Sequence, residues 1–69
     1  MERTSVVSSN IASIGYNLGN QTLEIEFLNG SVYQYFDVPQ NIHEDLMSAD
    51  SQGKYLAANI KGIFRYSRV

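Results

Sequence analysis

The chain has no cysteine and no tryptophan, and only one proline and one histidine in 69 residues. Without cysteine there is no disulfide framework and no thiolate metal site, so the fold must rest on its own core or on a partner subunit. That lack also suits a cytoplasmic protein. Long apolar runs are missing too, and no segment has the length to span a bilayer. The opening MERTSVVSSN is polar, and its two-valine run is too short for the apolar part of a signal peptide. A soluble chain with no membrane partner is the expectation. The five glycines are scattered and form neither GxGxxG nor GxxxxGK, so no phosphate loop is present. No acid occurs after Asp50.

What is present describes one small domain, residues 1–69, near the lower size limit for independent folding. Hydrophobic residues make up 43% of the chain, with five tyrosines and three phenylalanines, an ordinary globular composition. The net charge of −2 conceals an asymmetry. Residues 1–50 hold one base, Arg3, against all seven acids, net −6. Residues 51–69 hold Lys54, Lys61, Arg65 and Arg68 with no acid, net +4. Any electropositive face must come mainly from this last stretch, unless the two ends pair on folding.

Periodicity outlines an α+β fold. Residues 1–9 are serine-rich and expected to be a loose lead-in, with Val6 and Val7 available to extend the first strand. NIASIGY, residues 10–16, places Ala12, Ile14 and Tyr16 at period two with Ile11 on the other side, the pattern of a short strand. NLGN ends it. In TLEIEF, residues 22–27, Leu23, Ile25 and Phe27 alternate with Glu24 and Glu26, so a strand separates apolar groups from carboxylates. Asn29-Gly30 then signals a hairpin into SVYQYF.

The hairpin register decides where Tyr33 and Tyr35 point. A two-residue loop pairs Leu28 with Ser31 and sets both tyrosines opposite Glu24 and Glu26. A three-residue loop with Gly30 as its bulge residue pairs Phe27 with Ser31, setting Tyr33 opposite Ile25 and Tyr35 opposite Leu23. A slip of one residue turns both rings to the other face. The bulged register is preferred because it gathers Leu23, Ile25, Phe27, Tyr33 and Tyr35 on one face, where aromatic–aliphatic pairs gain roughly 0.2–1 kcal/mol each. It assigns both tyrosines to the core and leaves Val32 and Phe36 on the polar side.

Pro39 fits the first turn of a helix, where its missing N–H would have no partner. That helix, residues 39–49, carries Ile42, Leu46 and Ala49 inward, and Asp37 is placed to help satisfy its opening amides. Asp50-Ser51 caps a second, short helix over residues 52–60, in which Gly53 costs about 1 kcal/mol relative to alanine. IFRYSRV, residues 63–69, alternates as a last strand. The expected fold is α+β: a small antiparallel sheet of three to four strands, one main helix and a second short one.

Catalytic and metal chemistry find little support. His43 lies on a polar helix flank and reads as a surface histidine. Glu24 and Glu26, spaced about 7 Å apart on one strand face, read as its solvent side rather than an acid–base pair. Nothing in the spacing gathers metal ligands, and no cofactor is expected. Lys54, Tyr55, Lys61, Arg65, Tyr66 and Arg68 interleave cations with aromatics, the combination used for phosphate contact and base stacking. Arg65 and Arg68 cannot share one strand face, because their spacing is odd. An acidic whole chain, with pI near 5.0, argues against tight non-specific binding. A nucleic-acid partner, RNA or tRNA, is therefore weighed against another protein or self-association through an exposed strand edge.

An ordered set of residues also resembles the KTSC domain, found at the C-terminus of some lysyl-tRNA synthetases and as stand-alone bacterial proteins. It runs Ser8-Ser9-Asn10-Ile11, Ile14-Gly15-Tyr16, Leu23-x-Ile25-x-Phe27, Gly30 and Tyr33-Gln34-Tyr35. It continues through Val38-Pro39, Leu46, Ala49, Ser51-x-Gly53-Lys54-Tyr55 and Ile60-Lys61. Where such domains often carry Phe-Asn this chain has Leu56-Ala57, so any polar contact of that asparagine is missing. Through the synthetase association the resemblance implies a link to RNA, and it carries over no set of functional residues.

Overall fold

The computed structural model describes all of residues 1–69. Five strands form one antiparallel sheet in the order β1-β2-β3-β4-β5. They are β1 (Arg3–Ser5), β2 (Ile11–Asn17), β3 (Thr22–Phe27), β4 (Val32–Tyr35) and β5 (Tyr66–Arg68). Between β4 and β5 come two helices, α1 (Gln40–Ser48) and α2 (Gln52–Asn59), which cover one face.

The expected count of three to four strands is corrected to five. The additional strand lies inside the stretch expected to be a loose lead-in. All three residues of β1 are exposed, so it has no apolar alternation to announce it. It is held instead by pairing of Arg3 with Gly15, Thr4 with Ile14 and Ser5 with Ser13. Arg3 also reaches Glu24 on β3, with its guanidinium 3.2 Å from the carboxylate. That bridge crosses Gly15 on the intervening strand, and a Cβ there would lie 2.8 Å from both Arg3 Cγ and the Glu2 carbonyl oxygen. Glycine lets β1 approach.

The β3–β4 hairpin takes the bulged register. Ile25 pairs with Tyr33 and Leu23 with Tyr35. Phe27 N–H donates to the Ser31 carbonyl at 2.8 Å, and Gly30 N–H donates to the Phe27 carbonyl at 2.9 Å. Gly30 has φ +90°, which glycine reaches without steric penalty.

Strand β2 differs from expectation at its start. Ile11 was expected on the far side from Ile14, yet both are fully buried in the core. The pairing shifts between Ile11 and Ser13, and such a bulge at Ala12 inserts one unpaired residue and reverses the alternation. Ile11 thus joins Ile14, Leu23, Ile25, Tyr35, Val38, Leu46, Leu56 and Ile60 between sheet and helices.

The helix ends follow different logic. Ser51 caps α2 by accepting from the Lys54 N–H at 3.3 Å. Helix α1 starts after Pro39 with no side-chain cap. Asp37 does not serve it: with φ +58°, this residue binds Arg65 instead, at 2.7 Å.

Candidate functional site

Alternation in the bulged register sorts the sheet chemically. Glu24, Glu26 and Gln34 share the face away from the helices. There Gln34 donates to Glu24 at 2.9 Å and Ser13 donates to Glu26 at 2.8 Å. The other face carries Phe27, Tyr33 and Tyr35, and β5 adds Tyr66 opposite Tyr35 and Arg68 opposite Tyr33. The strand acids are therefore on the far side of the sheet from the rings.

The helical layer buries Tyr35 but not all of its neighbours. Phe27 and Tyr33 are half-buried and Tyr66 is 61% exposed. The expectation that both Tyr33 and Tyr35 fill the core is met by Tyr35 alone; Tyr33 shares its face but lies at the margin. Phe27 meets Tyr33 edge-on, with centroids 5.7 Å apart. Tyr66 sits 5.7 Å from Tyr33 and 5.9 Å from Tyr35, tilted by about 40° to each. Burial above all, with Tyr33 and Tyr66 nearby, pushes the Tyr35 phenol above its ordinary value.

These rings line a cleft of about 500 Å³, within the usual range of roughly 300–1,000 Å³ for ligand sites. Its polar margin comes from Asn29, Ser31 and Lys61, and no acid lines it. The Lys61 ammonium lies 5.4 Å from the Phe27 centroid, a cation–π distance. A second depression of about 370 Å³ shares Phe27, Asn29 and Lys61 and continues past the ammonium to Ser9 and Asn10. Arg68 donates to Ser31 Oγ at 3.3 Å, which holds its guanidinium at the same margin.

Of the six residues singled out in the sequence, Lys61, Tyr66 and Arg68 come together around this cleft. Lys54 and Tyr55 lie on α2 and do not line it. Arg65 stands on the opposite sheet face, with its guanidinium 5.5 Å from the Phe36 ring and held there by Asp37. It covers the phenylalanine that the register left on the polar side. The ion pairs are Arg3–Glu24 and Arg65–Asp37, so neither Lys61 nor Arg68 has a carboxylate partner.

The sequence does not single out Phe27, Asn29 or Ser31 as lining a site, and its register argument assigns Tyr33 to the core rather than to a cleft wall. Asn29-Gly30 identified a hairpin, and only the missing helical cover turns that hairpin into a wall. The reading of His43 as a surface histidine is corrected: the ring is half-buried and stacks on Tyr16 with centroids 4.6 Å apart and planes within 8°. Tyr16 in turn donates its hydroxyl to the Val38 carbonyl. Burial lowers the His43 pKa, opposed by the Glu44 carboxylate. No hydrogen bond joins His43 to a serine, and no group of three or more His, Cys, Asp or Glu side chains could hold a metal ion. No helix is long and apolar enough to cross a membrane.

Comparison with known proteins matches residues 7–66 to the KTSC domain. A crystal structure of a KTSC domain protein from Yersinia pestis superposes with a TM-score of 0.94 at 43% identity, covering 99% of this chain and 96% of that one. A lysine–tRNA ligase of Nostoc punctiforme is 44% identical over 59 residues, which are 86% of this chain but 10% of the ligase. The chain thus spans about a tenth of that relative's length. A protein of Stutzerimonas stutzeri is 37% identical over 70 residues, covering 100% of this chain and 99% of its own length.

Proposed function

The chain belongs to the KTSC domain family, and on that premise we propose that it is a non-enzymatic binding domain that takes RNA in the cleft beside Lys61, Tyr66 and Arg68. The observation that carries this reading is the pairing of two cations lacking carboxylate partners with an aromatic cleft that no acid lines. In a chain of net charge −2, such segregation favours an anionic ligand at this face alone. The rings favour one that also carries planar bases. The likeness to lysine–tRNA ligases, enzymes that by name act on tRNA, makes tRNA the first RNA to test. Lys54 and Tyr55, on α2, are assigned a lesser part, and Arg65 none.

The test is titration of labelled single-stranded RNA and of tRNA at low and moderate salt. Binding is expected to weaken as salt rises, and Lys61→Ala to weaken it further while shallowing the salt slope by roughly 0.7. Absence of binding at low salt would overturn the proposal.

A second reading is association with another chain or a second copy. Its support is the open outer edge of β5, whose three residues are all exposed, since an unpaired strand can be extended by another. Scattering mass that rises with protein concentration would favour self-association.

A further inference from the structure

The cleft has a specific shape as well as a charge. Tyr66 contacts Tyr33 and Tyr35 at tilts of 38° and 40°, so neither neighbour stacks flat upon it, and it remains 61% exposed. An aromatic face is left open. Lys61 lines the same cleft, its ammonium against the Phe27 ring and without a carboxylate partner. Asn29 uses its side-chain oxygen to accept from the Ser31 N–H at 2.9 Å, which fixes the orientation of the amide. Its nitrogen makes no hydrogen bond within the protein, so both of its donors remain for acceptors outside it.

Resting on the RNA reading above, we infer that the cleft holds one unpaired nucleobase. The base stacks on the open face of Tyr66, its edge accepts from the Asn29 amide, and an adjacent phosphate lies against Lys61. The depression that continues past Lys61 to Asn10 carries the chain onward. A base inside a duplex has both faces covered by its neighbours and cannot enter, so the domain selects single-stranded or looped-out RNA over duplex.

The experiment compares a single-stranded RNA octamer, the same sequence as a duplex, and AMP, against wild type, Tyr66→Ala and Tyr66→Phe. Tyr66 is on an exposed edge strand, so loss of fold is not expected, and amide spectra of each variant check this. The expected result is tighter binding of the octamer than of the duplex. Tyr66→Ala should lose roughly tenfold in octamer affinity, as removal of a base–aromatic stack does, and Tyr66→Phe should recover it. AMP should shift the Gly62 amide, which lines the same cleft, in wild type and not in Tyr66→Ala. If the octamer binds but the duplex binds equally well, or if Tyr66→Ala matches wild type, the single-base inference is overturned while RNA binding stands. If neither octamer nor duplex binds, the RNA reading itself fails.

Discussion

Single residues here have duties that their types alone do not disclose. Arg65 belongs by composition to a basic cluster, yet its guanidinium shields Phe36 and pairs with Asp37. Both partners are more than 70% exposed, so the ion pair itself adds little to stability. Arg65→Ala should accordingly leave RNA affinity within about twofold of wild type, within the small effects expected of distant surface changes, whereas Lys61→Ala should not. Filter binding of the two variants side by side separates the faces. His43 is a second case. Burial against Tyr16 favours its neutral form, with Glu44 opposing. A folded-state pKa below the unfolded 6.5 means the unfolded chain takes up its proton first as pH falls. Stability from this group is complete above the unfolded value and is lost as pH drops through the folded one. His43→Phe keeps a ring on Tyr16 without the titration. Its melting temperature should fall less than wild type's between about pH 7.5 and about pH 5.5, as followed by circular dichroism. An equal fall would mean that carboxylates alone set the slope.

At the scale of elements, what was legible depended on whether burial or backbone pairing forms the element. Strand β3 was readable because Glu24 and Glu26 alternate with core residues. The hairpin register followed from Asn29-Gly30 together with the need to gather Tyr33 and Tyr35 with Leu23 and Ile25. The bulge at Ala12 leaves no mark in the sequence, since any small residue can be the unpaired one, and uninterrupted alternation puts Ile11 on the opposite face from Ile14. Strand β1 lacked apolar alternation altogether. Its closeness to β2 leads to a direct prediction: Gly15→Ala forces Cβ against the Glu2 carbonyl and should cost about 1–3 kcal/mol, as overpacking does. Amide exchange at residues 3–5 should accelerate far more than in β3. Helix α2 depends on the Ser51 cap, and Ser51→Ala should lower stability by about 1 kcal/mol in a urea titration.

At the scale of the whole molecule, the decisive feature is how the sheet divides its chemistry. The sequence places its acids early and most of its cations late, and the register then puts the strand acids behind the sheet. Composition could announce that a positive face must come from residues 51–69. It could not announce the cleft, which exists because two short helices cover Tyr35 and leave Phe27, Tyr33 and Tyr66 partly bare. The most direct measurement is amide shift mapping of the full chain during titration with single-stranded RNA. Perturbations should concentrate at Phe27, Asn29, Ser31, Lys61, Gly62 and Tyr66 and leave Arg3, Glu24, Glu26 and Gln34 unmoved. Shifts centred on that acidic face, or none anywhere, would contradict the assignment of the aromatic cleft as the binding site.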